Sequence, residues 1–188
     1  MNHFKEAFSR TMKHEGGYSD NPHDHGKETF RGISRLYWPE WPGWHLVDRW
    51  QKEGFSNFEK SGIIELVESF YKTNFWIRIQ GDELAKISPW VAYEVFDTAV
   101  NMDVPDAVRF LQIALNMQRM ATRSFSELMV DGRLGLKTLT ALSLYLDTQP
   151  ENPEDNEKIL LACMNGEQYI AYKANPQHTY FRGWFLRT

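Results

Sequence analysis

The chain has 188 residues and carries 21 Lys plus Arg against 25 Asp plus Glu, a formal net charge of −4. That length holds one substantial domain or two small ones around a core that needs no disulfide or metal, and the single cysteine, Cys163, excludes a disulfide framework and a multi-Cys zinc site. The acidic balance argues against a nucleic-acid partner, which needs a basic stripe to displace counterions, whereas 8 Tyr, 12 Phe and 7 Trp supply rings for a core or for stacking on sugar faces.

Phe4, Phe8, Thr11 and Met12 recur at helical spacing and predict a short amphipathic helix over 2–14, stopped by Gly16-Gly17. This N-terminal stretch lacks the continuous apolar region of a signal peptide, and no apolar run of about 18 residues predicts insertion in a membrane. From Tyr18 to about Phe58 the helical period disappears among Gly, Pro, Asn, Asp and His. This predicts a loop-rich lobe with one small hairpin and a Trp/Pro-rich turn, WPEWPGW, at Trp38–Trp44.

A wide apolar stripe from Ile63 to Phe75 predicts the next helix. Ser88-Pro89 is an N-cap and first-turn pair for a helix through Asn101, with Trp90, Val91, Val95, Phe96 and Ala99 inward. Asp103 opens another helix, a further one covers 135–147, and a long one runs from about Asn156 to Ala174. The polar segment Gln149–Glu157 reads as a linker. The expected fold class is mostly α, a helical bundle with a small loop- and hairpin-rich lobe.

Chemistry concentrates in EGGYSDNPHDHGKETFRGI, Glu15 to Ile33. A Glu at the C-terminal end of a helix meets the negative end of the dipole, and apolar neighbours desolvate it. Both effects favour the protonated acid that a glycosidase uses to protonate a leaving oxygen. Nine residues on, Asp24 lies in a polar, turn-rich loop that favours the ionised form, and two carboxyls in contrasting environments divide acid and base roles. Thr29 stands at the start of a predicted strand, where its hydroxyl can hold a water or serve only the sheet. Gly32 lets the chain turn closely past the site.

At these residues the sequence resembles glycoside hydrolase family 108, the N-acetylmuramidases of the lysozyme-like superfamily. The resemblance rests on E-G-G-Y, N-P-x-D-x-G and T-x-x-G-I. It continues in Tyr71–Trp76, VAYEVFDTAVN at Val91–Asn101, Leu111-Gln112, DGRLGLKT at Asp131–Thr138 and FRGWFLR at Phe181–Arg187. It implies a lysozyme-like α+β fold with a catalytic segment at 1–94 and a helical peptidoglycan-binding segment at 95–188, the two packed as one unit. It also implies hydrolysis of the β-1,4 bond between N-acetylmuramic acid and N-acetylglucosamine in peptidoglycan. Glu15 is then the general acid, as the residues themselves suggest. By analogy with phage-type lysozymes, Asp24 and Thr29 are the second and third members, with Asp20 the competing carboxylate. The sequence departs from the family at Lys27 and Glu28, where a second Gly is usual, and at Met102-Asp103, where a small residue is. Lys27 beside Asp24 either lowers that carboxylate's pKa or closes part of the cleft.

Other readings stay open beside these. Tyr18 packs on a sugar ring or wedges its loop. Asp97 and Asn101, at i and i+4, form a hydrogen-bonded pair at a helix end, or Asn101 faces the substrate. The Trp38–Trp44 cluster is better read as a lid over the small lobe's core than as a sugar platform. His23 and His25 at i, i+2 point to opposite sides of an extended segment and are poorly placed to share zinc, so no cofactor or metal is expected. Cys163 reads as a buried inert thiol. The partner is the peptidoglycan strand, reached from the cytoplasm through a holin or another export system. Direct attack by water points to inversion, which needs carboxyls roughly 6.5–9.5 Å apart. The rival is a wall-binding or secretion-assisting protein with weakened catalysis. A zinc amidase or peptidase is a third reading.

Overall fold

In the structure, a computed structural model, residues 2–13, 17–20, 28–54, 62–122, 124–148 and 153–174 are described. They form eight α-helices and a three-stranded antiparallel sheet, the mostly α, lysozyme-like α+β class expected. The chain divides into two compact units, one spanning Phe8–Asn74 and the other joining Met1–Ala7 to Phe75–Thr188.

In the first unit, the end of α1 (His3–Met12) is followed by β1 (Tyr18–Asp20), β2 (Glu28–Phe30), β3 (Ile33–Ser34), α2 (Trp44–Glu53) and α3 (Ile63–Tyr71). The sheet order is β1-β2-β3. Arg31 and Gly32 link β2 to β3 with φ of 46° and 79°. Two left-handed residues in a two-residue loop match the twist of the flanking strands, and Gly32 adopts that conformation at no steric cost. The Tyr71 hydroxyl donates to the Arg31 carbonyl at 2.7 Å and holds the turn against α3. Phe30 stacks on Trp41 at 6.1 Å, Trp41 meets Trp44 edge-on at 5.2 Å, and Phe8 packs on Tyr71 at 5.6 Å. Trp41, Trp44, Val47, Ile63 and Val67 complete this buried core.

Two findings correct the sequence reading here. The Tyr18–Phe58 stretch contains α2, a ten-residue helix that buries only Trp44 and Val47 and so leaves almost no period to read. The stripe from Ile63 to Phe75 is not one α-helix, because the chain leaves α3 at Tyr71 into a π-helical turn, Lys72–Trp76. A π turn inserts an extra residue and rotates the chain beyond it, which leaves Trp76 fully buried.

The other unit holds α4 (Gly81–Ile87), α5 (Pro89–Asn101), α6 (Val104–Thr122), α7 (Leu136–Asp147) and α8 (Pro153–Ala174). Helix α5 packs along α4, α6 and α8. Its start is as predicted: the Ser88 side chain accepts the Val91 N–H at 3.0 Å, with Pro89 in the first turn. Asp103 Oδ1 accepts the Asp106 N–H at 2.8 Å at the head of α6. Phe4, Trp76, Phe96, Leu111, Leu115, Leu142 and Tyr145 are buried in its core. The Trp76 indole donates to Asp82 Oδ1 at 2.9 Å.

Helix α4 escaped sequence reading because seven residues with three buried positions are too short to show periodicity. Trp90, expected inward, is 49% exposed and sits edge-on to Tyr93, since a residue at the second helical position turns away from the face set by Val91, Val95 and Phe96. The segment read as a linker is helical from Pro153 onward, where proline's fixed φ suits a first turn. Cys163 is a free, half-buried thiol that accepts a hydrogen bond from Gln118 at 3.4 Å. Phe181–Arg187 lies outside the described residues.

Candidate active site

Thr29 occupies the middle of the central strand. It is half-buried, opposite Ser19 on β1 and Ser34 on β3. Directly opposed residues point to the same face, so Ser19, Thr29 and Ser34 share one face and Phe30 and Ile33 the other, with Ser34 buried like Phe30 and Ile33. Asp20, the exposed last residue of β1, pairs in register with Glu28. Asp20 and Glu28 are the described residues on either side of the sequence 21–27, which contains Asp24. Asp24, Lys27, His23 and His25 themselves lie outside the described residues, as do His14 and Glu15.

A charged network braces this hairpin. The Tyr18 hydroxyl donates to Glu28 Oε1 at 3.3 Å and accepts from the Gln51 amide, and the Tyr18 ring lies edge-on to Trp50 at 5.5 Å. Glu28 Oε2 meets Arg35 Nε at 2.7 Å, and Arg35 Nη2 donates to Asp48 Oδ1 at 2.5 Å. The Arg35 guanidinium also sits 4.4 Å over the Trp44 ring. Burial, then the negative Glu28 and Asp20, raise the Tyr18 pKa, so its phenol stays protonated. The hydrogen bond from Arg35 lowers the Asp48 pKa, and Asp48 in turn raises that of Arg35. Tyr18 is thus a strut between the hairpin and α2.

Tyr37 and Trp38 follow β3 and form part of one wall of an open cleft of about 450 Å³. Tyr37 is 64% exposed and Trp38 38% exposed, whereas Trp41 and Trp44 are buried. Trp38 and the buried Trp41 both border the cleft, and Trp44 lies in the core. Leu66, Ser69, Phe70, Thr73 and Asn74 form the facing wall.

Asn101 belongs to the other unit. It is the last residue of α5, half-buried, and its amide donates to the Tyr172 hydroxyl on α8. About two turns earlier on α5 stands Glu94, which sequence reading passed over. Burial first, and then the negative Asp97, push its carboxyl up to about 7, against a hydrogen bond from the Thr98 hydroxyl at 3.4 Å that favours ionisation. Its signal in the sequence is only a carboxylate amid VAYEVF, three residues before Asp97 on one helix face. Among the described residues no cluster of three His, Cys, Asp or Glu is arranged to hold a metal, and no helix is long and apolar enough to cross a membrane.

A family model described as glycosyl hydrolase 108 matches residues 8–102, just over half of the chain. The chain belongs to the glycosyl hydrolase 108 family. The match covers the hairpin, the 21–27 segment, α3 and the whole of α5, and with them every candidate site residue read from the sequence. A solved structure of SagA from Brucella abortus is similar over 98% of this chain and 88% of its own, with a TM-score of 0.62 and 22% identity. At that identity the likeness shows a shared fold. No curated protein matches. As a glycosyl hydrolase 108 member the chain is a glycoside hydrolase, for which a braced hairpin with a central-strand hydroxyl and an open aromatic cleft are chemically suited parts.

Proposed function

We propose that this chain is a peptidoglycan N-acetylmuramidase that cleaves the β-1,4 bond between N-acetylmuramic acid and N-acetylglucosamine. Glu15 protonates the glycosidic oxygen, and Asp24 with Thr29 positions and activates the attacking water. The observation that carries the reading is the glycosyl hydrolase 108 match across residues 8–102, which contains all three. Supporting it, the half-buried Thr29 sits on the central strand opposite the exposed Ser19, where their hydroxyls can hold a water. Residues 95–188 serve in this reading as the helical segment that grips the wall.

The test is reducing-end release from purified peptidoglycan by wild type and by Glu15→Gln, with and without a chelator. The expected result is chelator-resistant release by wild type and a fall of about 10²–10⁴-fold on losing the general acid. Absence of release by folded wild-type protein across several peptidoglycan types would sink the enzyme reading and leave a wall-binding scaffold.

A further inference from the structure

We propose that the cleft between Tyr37-Trp38 and α3 is a glycan subsite that takes a neutral N-acetylglucosamine unit and discriminates against N-acetylmuramic acid. The inference rests on the proposed function for the strand that carries the sugar, and on the cleft's own chemistry for the choice between the two sugars.

The cleft volume of about 450 Å³ falls in the range of small-molecule sites. Its aromatic wall is held in advance of any ligand. The Trp38 ring lies edge-on to Phe70 at 4.9 Å, and its backbone N–H donates to the Ser34 carbonyl at 2.9 Å. The Trp38 carbonyl accepts the Trp44 indole N–H at 2.7 Å. A fixed, partly exposed ring packs on the C–H face of a pyranose while losing little side-chain entropy. Opposite it, Ser69 and Thr73 bring hydroxyls and Asn74 an amide. The Asn74 amide is oriented by donating one N–H to the Phe70 carbonyl at 2.9 Å. Its other N–H and its oxygen suit an N-acetyl group.

Charge decides between the two sugars. Among the described residues, Glu40 is the cleft's one carboxylate, and no lysine, arginine or histidine lines it. N-acetylmuramic acid brings an anionic lactyl group, or in the intact wall a bulky stem peptide. Beside an uncompensated carboxylate an anion is repelled, and a neutral sugar is not. Ser34, whose carbonyl holds the Trp38 backbone N–H, is the cross-strand partner of Thr29.

The experiment follows backbone amide and Trp38 indole resonances of the full chain carrying Glu15→Gln during titration with N,N′-diacetylchitobiose, N-acetylglucosamine, N-acetylmuramic acid and an Ala-Glu-Lys tripeptide. Chitobiose and N-acetylglucosamine are expected to shift Trp38, Thr73 and Asn74 saturably, and N-acetylmuramic acid to bind about tenfold more weakly than N-acetylglucosamine, a difference of ~1.4 kcal/mol. Tyr37→Ala removes an exposed ring, and Ser69→Trp fills the cleft from an exposed helix position. Each is expected to weaken chitobiose about tenfold or more. Equal binding of the two sugars overturns the discrimination. Shifts elsewhere, shifts by the tripeptide alone, or no effect of either variant overturn the subsite. Chitobiose binding here by a chain that releases no reducing ends from peptidoglycan would fault the muramidase reading instead.

Discussion

Glu94 shows what a single side chain can carry. Its carboxyl is held up to about 7, chiefly by burial and then by Asp97. An acid whose folded pKa lies above its unfolded value binds its proton more tightly in the native state. Native stability is therefore fully present below the ordinary value of 4.5, falls as pH rises towards 7, and is level above it. The loss by pH 8 is on the order of 3 kcal/mol. Glu94→Gln keeps an acceptor for Thr98 and cannot ionise, so its thermal midpoint should match wild type at pH 4 and exceed it at pH 8. Equal midpoints at both values would show that Glu94 ionises freely. Sequence could show Glu94 and Asp97 on one face of α5, but not that Glu94 is desolvated there.

At the scale of elements, motifs that looked like separate landmarks join in space. Gln112 on α6 is buried, and its amide donates to Asp131 Oδ1 at 2.9 Å and to the Arg133 carbonyl at 3.2 Å, with its oxygen accepting the Gly132 N–H at 3.0 Å. It thereby stitches the DGRLGLKT turn to α6, and its hydrogen bond is the main reason the Asp131 pKa is lowered. Gly132 is required there: its φ is 72°, and a Cβ would stand 2.8 Å from the Pro105 carbonyl oxygen. Gln112→Ala strands several of these groups and should cost about 2–3 kcal/mol in urea unfolding, with an unchanged slope. A loss below about 0.5 kcal/mol would mean that water replaces the amide without penalty. The same scale explains the missed helices. Helices α2 and α4 bury two and three residues respectively, so packing rather than pattern makes them helical.

For the whole molecule, a formal charge of −4 opposes the approach to an anionic wall polymer. Raising ionic strength from about 10 to 150 mM shortens the screening length from about 30 to 8 Å. The KM for peptidoglycan should therefore fall over that range while kcat stays level. A KM that rises instead would point to a local basic patch that steers the strand despite the net charge.

Much of the helical architecture was readable without coordinates because its signals are local. Ser88-Pro89 heads α5, Asp103 heads α6, and apolar residues return every three or four positions along α5 to α8. Each of those effects acts within one or two turns of backbone. The short Arg31-Gly32 turn belongs to the same class, since it depends on the φ that two adjacent residues adopt. Tertiary structure alone decided what depends on groups far apart in sequence. It paired Arg35 with both Glu28 and Asp48, exposed Trp38 at a cleft and buried Trp44 in the core, turned Trp90 outward, and raised Glu94 towards neutrality. Desolvation and charge pairing act through space, and no periodicity along the chain encodes which distant side chain will supply them.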